Sequence, residues 1–336
     1  MPELERVKKI ATLLPTRAAR RTPCRVVNDV HSGLNRTRVR SIVRPESLED
    51  LRAVIREAGA ARCAIAVAGG RHAMGGQQFA RDGVLVDTSS LNRVLRFDPA
   101  RREVEVEAGI QWPELVNHLI AAQRGRARQF GIIQKQTGAD RLSLGGALAA
   151  NIHGRGLALK PIINDVESFD LVDARGEVVR CSRRENRELF GLAVGGYGLF
   201  GVVARVTLRL APRRKLRRVV RLLDSSELMQ SFDGRVAAGF LYGDFQFMTD
   251  PDSDGFLRRG VFSCYEPVAD DAAEPPRHKE LSPGEWGQLL YLAHADRRRA
   301  FESYAAHYLS TDGQLYWSDT HQLSVYLDDY HRELDK

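Results

Sequence analysis

The chain has 336 residues, of which 43% are hydrophobic and 28% charged, and a formal net charge of +7; such a length and composition are typical of a folded protein of two or three domains. It contains no run of about 18 apolar residues and no secretory signal, so neither a membrane-spanning helix nor export is predicted. The four cysteines lie far apart without a C-x-x-C pair, so no zinc or other metal site is expected, and a cytoplasmic location is predicted, with peripheral membrane attachment left open.

The first part of the chain predicts a small α/β unit that follows an N-terminal extension, residues 1–37. Ser47, with Asp50 three residues later, has the pattern of a helix N-cap, and the apolar residues after it recur at helical spacing. Strands and a helix thus alternate in the order typical of α/β structure. The predicted elements are a strand at 39–43, a helix ending near Gly59, and strands at 64–68 and 84–87.

A β-hairpin is predicted next, with strands at 94–98 and 103–108. Within its second strand, Glu103, Glu105 and Glu107 alternate with apolar residues. Alternation with a period of two predicts that one face of the strand is buried and that the face carrying the glutamates is solvated.

The following segment predicts a second subdomain, so that the two subdomains span about 38–105 and 106–212. Pro113 falls in the first turn of a helix, where its missing N–H group leaves no hydrogen bond unmade. The predicted elements are helices at 112–123, 144–150 and 186–194, a hairpin of strands at 168–173 and 177–181, and a strand at 201–210.

A cluster of basic residues follows at 213–218. A nucleic-acid surface is one interpretation of such a run, but no aromatic side chains interleave with it to stack on bases. We favour a solvated linker between domains and expect no nucleic-acid partner. The basic residues are Arg213, Arg214, Lys215, Arg217 and Arg218.

Residues 213–336 predict a second α+β domain. Aromatic residues become frequent beyond residue 240, which indicates sheet structure, and residues 289–309 have a helical pattern. The acidic, proline-rich segment 270–283 is predicted to be a loop. An apolar helical pattern continues to the last residues without a capping residue, so we expect this domain to be incomplete.

The segment GYGLFG at residues 196–201 matches the dinucleotide fingerprint G-x-G-x-x-G. That fingerprint binds a pyrophosphate only where a strand precedes it and a helix follows. Here the predicted order is reversed, so we reject a Rossmann site and interpret these glycines as a tight turn from helix to strand.

Two other glycine loops have the chemistry of an anion site. Residues 68–76 follow a buried strand and could present backbone N–H groups to a phosphate; a flexible surface turn is the alternative. Ser143, Gly145 and Gly146 predict the capped N-terminus of a helix with unpaired N–H groups, for which a packed, glycine-containing helix is the alternative. Two such loops together could hold one diphosphate from two sides.

Across residues 38–212 the sequence resembles the FAD-binding domain of the vanillyl-alcohol oxidase and p-cresol methylhydroxylase flavoproteins. The resemblance is carried, in order, by AVAGGRHAMGG, GVLVDTSSLNRV, VEAGIQWPEL, TGADRLSLGGALAANIHGRG and GGYGLFGVVARVTLRLAP. Within that family, SLGGALAANIHG is most similar to aldonolactone oxidases, alditol oxidases and the decaprenylphosphoryl-ribose oxidase. The resemblance implies an α+β fold with a two-subdomain FAD-binding domain, and FAD as the cofactor.

The resemblance also implies roles for individual residues. The first loop should wrap the pyrophosphate and the flavin edge, the second should line the opposite side, His153 and Gly154 should lie close to the isoalloxazine, and Val203 should contact the adenosine end. The implied cofactor-binding residues are Gly69, Gly70, Arg71, His72, Ala73, Met74, Gly75, Gly76, Gln77, Gly138, Ala139, Ser143, Gly145, Gly146, Ala149, His153, Gly154 and Val203.

His72 occupies the position at which several family members bond a histidine covalently to the flavin 8α-methyl group. Such a bond requires a neutral ring nitrogen, and it would raise the reduction potential of the flavin. The alternative is a loop histidine that only hydrogen-bonds FAD. No cysteine accompanies the second loop, so a second covalent bond is not expected.

The implied activity is the oxidation of a CH–OH group of a sugar, sugar alcohol or sugar lactone by hydride transfer to flavin N5. The catalytic base of relatives comes from the C-terminal part of the second domain, so no catalytic residue is assigned. The electron acceptor, whether O₂, a quinone or a cytochrome, stays open. The alternatives are a non-catalytic flavin-binding protein and an NADPH-dependent reductase of the same cofactor fold.

Overall fold

The computed structural model describes residues 20–138, 140–269, 271–272 and 279–324. The chain forms two compact units, each built from several stretches of sequence. The domain boundaries predicted from the sequence stay predictions. The first unit contains Met1–Ala121, Arg141–Ile152 and Ile162–Leu210, and the second contains Ala122–Asp140, His153–Pro161 and Ala211–Lys336.

Strands and helices are interspersed along the chain, which confirms the α+β class. In chain order the strands are β1 (Arg20–Val27), β2 (Thr37–Arg44), β3 (Ile65–Ala68), β4 (Val84–Asp87), β5 (Val94–Asp98), β6 (Glu103–Glu107), β7 (Phe130–Gly131), β8 (Val166–Val172), β9 (Val178–Ser182), β10 (Val202–Arg209), β11 (Ala211–Pro212), β12 (Lys215–Asp224), β13 (Tyr242–Phe247), β14 (Arg259–Pro267) and β15 (Leu315–Trp317).

The helices predicted in the first part of the chain are present, but the helix at Leu228–Ala237 was not predicted, and the last predicted helix differs from the structure. Residues 289–309 do not form a single helix: Asp296 interrupts them with a non-helical backbone, and its side chain accepts a hydrogen bond from the N–H of Arg299 as the cap of the next helix. None of the helices in the described ranges is long and apolar enough to cross a membrane. They are α1 (Leu48–Ala60), α2 (Trp112–Ala122), α3 (Leu144–Ala149), α4 (Arg187–Ala193), α5 (Leu228–Ala237), α6 (Pro283–Ala295) and α7 (Arg297–Ser310).

The first unit contains two sheets. One has the strand order β1-β2-β4-β3, in which β2, β4 and β3 are parallel and β1 is antiparallel to β2. The other is antiparallel with the order β5-β6-β10-β8-β9. One buried apolar cluster joins α1 to both sheets, with Leu51 from the helix, Val86 from the first sheet and Val172 from the second. Helix α1 begins as predicted, because Ser47 accepts a hydrogen bond from the N–H of Asp50.

The expectation that the glutamates of β6 face solvent is wrong. Glu103 is 8% and Glu107 3% exposed, because β6 is an inner strand of its sheet and both carboxylates pair with arginines. Arg93 Nη2 donates to Glu107 Oε1 over 2.7 Å, and Arg101 Nε donates to Glu103 Oε2 over 2.9 Å. The pattern gave the correct strand but could not show that a nearby arginine would neutralise each carboxylate.

The second unit is built on the antiparallel sheet β13-β14-β12-β15, so the aromatic stretch does form strands, as predicted. Helix α7 packs on this sheet through Ala305 and Phe301, which contact Val220 of β12. The final helical pattern, residues 326–334, and half of the predicted loop 270–283 lie outside the described residues.

The basic run is not a solvated linker. Its second half belongs to β12, where Leu216 is fully buried and Arg218 is only 9% exposed. Arg213 is also buried at the side chain and forms an ion pair with Asp319 over 2.7 Å. The alternation of basic and apolar residues is therefore that of a strand with buried, partnered arginines.

Candidate functional site

A cavity of about 470 Å³ lies in the first unit, and this volume is within the range of small-molecule and cofactor sites. Its walls come mainly from three stretches that are distant in sequence and that the fold brings together. These are residues 65–73 and 77–80 at and after β3, residues of the segment 142–150 around α3, and residues 197–203 at the start of β10.

The two predicted glycine loops touch each other at this cavity. A Cβ atom on Gly69 would overlap Ser143 Oγ, and one on Gly70 would overlap the carbonyl oxygen of Arg141. Since any side chain would force the loops apart, glycine is required at both positions. The glycines at these two positions thus allow the two loops to lie directly against each other.

His72 lies in the cavity wall next to a residue with unusual backbone geometry. Arg71 has a φ of +56°, the left-handed region that non-glycine residues rarely occupy, and such strain is often found at functional sites. Burial lowers the pKa of His72, and the nearby His31 and Arg141 lower it further. The imidazole is therefore neutral at pH 7, the form in which a ring nitrogen can act as a nucleophile.

The expectation that the N–H groups at the N-terminus of α3 are unpaired is wrong. The N–H groups of Leu144 and Gly145 donate to carbonyl oxygens just after β6, over 2.9 and 2.7 Å, and that of Gly146 donates to Ser143 Oγ over 3.3 Å. Because these donors already have acceptors within the protein, α3 contributes small side chains to the cavity wall instead of unpaired N–H groups.

The segment GYGLFG has the helix α4 before it and the strand β10 after it, which confirms that it is not a Rossmann fingerprint. It nevertheless lines the cavity, which the sequence did not predict. The N–H of Gly195 donates to the carbonyl oxygen of Leu148 over 2.9 Å, and that of Tyr197 to Ala149 over 3.0 Å. The turn is thereby fixed to the C-terminal end of α3.

The structure brings together most, but not all, of the predicted cofactor residues. Met74, Gly75 and Gly76 lie outside the cavity lining, Gly138, His153 and Gly154 belong to the second unit, and Ala139 is outside the described residues. The role of each residue stays a prediction. Those that line the cavity are Gly69, Gly70, Arg71, His72, Ala73, Gln77, Ser143, Gly145, Gly146, Ala149 and Val203.

Gln78 is a cavity residue that the sequence did not single out. It is 8% exposed, and its Nε2 donates to the carbonyl oxygen of Ala73 over 2.9 Å. Its Oε1 has no hydrogen-bond partner among the described residues, and a buried acceptor of this kind normally has one. A bound molecule with an N–H or O–H group could supply the donor. Nothing in the sequence distinguishes Gln78 from Gln77.

The charge of the lining favours an anion. Among the described residues that surround the cavity none is Asp or Glu, whereas Arg71 is present. A cavity without carboxylates and with an adjacent guanidinium raises the local concentration of anionic ligands.

Comparisons with known proteins point to the same region of the chain. Residues 39–182 match the FAD binding domain family. L-galactono-1,4-lactone dehydrogenase, mitochondrial, of Arabidopsis thaliana is 32% identical over 185 residues, which cover 55% of this chain and 29% of that protein. Cytokinin dehydrogenase 8 of Oryza sativa subsp. indica is 32% identical over 237 residues, 65% of this chain and 41% of that protein.

A third relative, an uncharacterized oxidoreductase of Rhodococcoides fascians, is 29% identical over 220 residues, 65% of this chain and 48% of that protein. The chain thus spans less than half the length of each of these three relatives. The resemblance seen in the sequence motifs is confirmed, and so is FAD as the cofactor.

The cavity fits this cofactor in two respects. Its lining carries Arg71 but no carboxylate to repel a diphosphate, and the buried Gln78 Oε1 lacks a donor that a dinucleotide could provide.

Proposed function

We propose that this chain, whose residues 39–182 match the FAD binding domain family, oxidises a CH–OH group of a sugar, sugar alcohol or sugar lactone. The observation that carries the proposal is the cavity of the first unit, whose glycine loops and carboxylate-free lining lie within and next to the matched region. The similarity to a galactonolactone dehydrogenase supports this substrate class.

FAD supplies a two-electron acceptor for a hydride, and the protein has to bind and orient it. We assign the diphosphate to Arg71 and the backbone of the loop that begins at Gly69. Gln78 Oε1 would accept a hydrogen bond from an N–H group of the cofactor, and the turn that leads to Val203 would contact its adenosine part. His72 would bond covalently to the flavin, because its ring is neutral and lies in the cavity wall.

We further propose that residues 38–212 form the FAD-binding domain and residues 213–336 the domain that positions the substrate. Among the residues assigned to the site, none is proposed as the catalytic base. The electron acceptor would be O₂, a quinone or a cytochrome.

A second substrate class has support of its own. Cytokinin dehydrogenases recur among the relatives, and one of them aligns with a larger share of this chain than the lactone dehydrogenase does, 65% against 55%. A cytokinin is therefore the alternative substrate.

One experiment separates these proposals. The full chain, saturated with FAD, is mixed without oxygen with a sugar lactone, a sugar alcohol or a cytokinin, and the visible absorption band of the flavin is followed. Bleaching by a lactone or a sugar alcohol supports the first proposal, and bleaching by the cytokinin alone supports the second. If none of the three bleaches the flavin, both are wrong, and the chain binds FAD without oxidising these substrates.

A further inference from the structure

The segment of residues 28–35 holds the His72 loop from outside the region that matches the FAD family, which begins at residue 39. The N–H of Val30 donates to the carbonyl oxygen of Arg71 over 3.0 Å. Asn35 Nδ2 donates to the carbonyl oxygen of Met74 over 2.6 Å. His72 lies between these two anchor points, so the segment restrains the backbone on both sides of it.

Asp29 organises this segment. It is only 4% exposed, and its carboxylate accepts hydrogen bonds from the N–H of His31 over 3.1 Å, from Ser32 Oγ over 3.0 Å and from Asn35 Nδ2 over 2.8 Å. Burial alone would raise the pKa of Asp29, but these hydrogen bonds outweigh it and hold the pKa well below its usual range. The carboxylate stays ionised, and it fixes His31 and Asn35 in place.

His31 is thereby presented to His72. Their ring centroids are 6.0 Å apart with an interplanar angle of 62°, an edge-to-face arrangement. The charged or titratable groups that act on His72 are His31, Arg141 and Asp29. A positive charge on His31 opposes a second positive charge on its neighbour, because like charges at this distance repel.

We propose that His31, held by the Asp29 loop, is a positioning residue that fixes the His72 ring at the cavity wall for bonding to FAD. The consequence for the covalent bond rests on the proposed function. The consequence for the state of His72 does not, since it depends only on contacts within the first unit.

Formation of the covalent bond reduces the flavin. An N–H bond of His72 and a C–H bond of the flavin 8α-methyl group break, and an N–C bond forms. The two hydrogens, with two electrons, pass to the flavin, which becomes reduced. Dioxygen then reoxidises the flavin and is itself reduced to hydrogen peroxide. A protonated His72 has no lone pair for the attack, so a residue that keeps it neutral favours the reaction.

The test compares His31→Phe, which keeps an aromatic ring but removes its titrating nitrogens, with the wild type and with His118→Ala as a control at an exposed position of α2. Each full-length protein is incubated with FAD in air. The fraction of flavin that stays in an acid precipitate is measured, and the pKa of His72 is measured by NMR.

In His31→Phe we expect the pKa of His72 to rise by about half a unit or more. The acid-stable flavin should form several-fold more slowly near pH 6, while non-covalent FAD binding changes little. Asn35→Ala, which frees one anchor, should slow attachment as well. The proposal is overturned if His31→Phe matches the wild type and His118→Ala in both the pKa of His72 and the rate of attachment.

The covalent bond and the effect of His31 on His72 can be tested separately. If the wild type releases all its FAD into the acid supernatant, the covalent bond of the proposed function is wrong, and the pKa of His72 alone decides the role of His31. A higher pKa in His31→Phe then supports the positioning role, and an unchanged pKa overturns it.

Discussion

The cavity of the first unit and the surroundings of Arg218 in the second unit differ in how their buried polar groups are satisfied. The described lining of the cavity contains no carboxylate, and the buried Gln78 Oε1 in its wall lacks a protein donor among the described residues. In the second unit, Arg218 is equally buried but donates to Tyr265 Oη over 2.7 and 3.0 Å and to Thr311 Oγ1 over 2.8 Å. The first region leaves a polar group for a ligand to satisfy, whereas the second satisfies its arginine internally.

Aromatic rings complete the environment of Arg218. Its guanidinium carbon lies 4.4 Å from the ring centroid of Tyr316, 4.9 Å from that of Tyr308 and 5.2 Å from that of Tyr265. No carboxylate of the described residues pairs with it, so cation–π contacts and hydrogen bonds stabilise the charge. An arginine buried in this way stabilises the fold and leaves no polar group for a ligand. The variants below test either the cavity or the surroundings of Arg218.

The largest effect is expected from Gly70→Ala. The new Cβ would overlap the carbonyl oxygen of Arg141, so the two loops would have to separate. We expect loss of FAD binding by about 100-fold or more, corresponding to roughly 3 kcal/mol, measured by titration of the apoprotein with FAD. Gly191→Ala, where an added Cβ meets nothing within 4 Å, is the matched control. Equal affinity in the two variants would show that the loop contact does not shape the site.

An effect of similar size, on stability instead of binding, is expected from Arg218→Ala. The change removes hydrogen bonds and aromatic contacts and leaves Tyr265 Oη without its donors, so the free energy of unfolding should fall by about 2–4 kcal/mol. Denaturant unfolding measures this change. Arg217→Ala, at a half-exposed side chain of the same strand, should cost less than about 1 kcal/mol. The flavin-to-protein ratio of the folded fraction should stay unchanged in both variants. A loss of flavin in Arg218→Ala alone would contradict a purely structural role for Arg218.

Gln78→Leu should weaken FAD binding about 5- to 10-fold, the effect of losing one neutral hydrogen bond of about 1 kcal/mol. The exposed Gln230→Leu on α5 serves as its control. Comparing FAD with FMN and with ADP as ligands would show which end of the cofactor donates. An unchanged affinity for FAD would mean that the buried Oε1 is not part of the binding site.

The remaining effect concerns the dependence of stability on pH. His321 is buried in the second unit, and burial and then Arg155 lower its pKa well below the usual 6.5. The unfolded chain therefore binds more protons than the folded one below that pH, so stability should fall as the pH drops through 6.5, by up to about 1.4 kcal/mol per pH unit. His321→Gln should flatten this dependence, and His118→Ala should not. An unchanged slope in His321→Gln would show that another group governs the acid sensitivity.

Local patterns in the sequence predicted most of the elements, because hydrophobic periodicity and capping residues act over a few positions. Strand β4 and the cap at Ser47 are examples. Burial of charge was not predictable in this way: Glu107 and Arg218 resemble solvated residues until their partners, distant in sequence or on another strand, are known.

The site shows the same division between local and non-local information. Gly69 and Gly70 identified the first loop, because two glycines directly after an apolar strand can be recognised in the sequence alone. The donors of α3 looked unpaired because their acceptors, just after β6, come into contact only in the folded chain. The turn before Val203 was dismissed with the Rossmann fingerprint, although the fold places it in the cavity wall.

The most direct test of the account is to identify and count the flavin in the purified full chain, alongside Gly70→Ala and Gly191→Ala. We predict about one FAD per chain in the wild type and in Gly191→Ala, by absorption spectrum and by mass, and almost none in Gly70→Ala. A wild-type protein that is colourless and does not take up added FAD, or a Gly70→Ala protein that retains a full complement, would contradict the assignment of the cofactor to the cavity of the first unit.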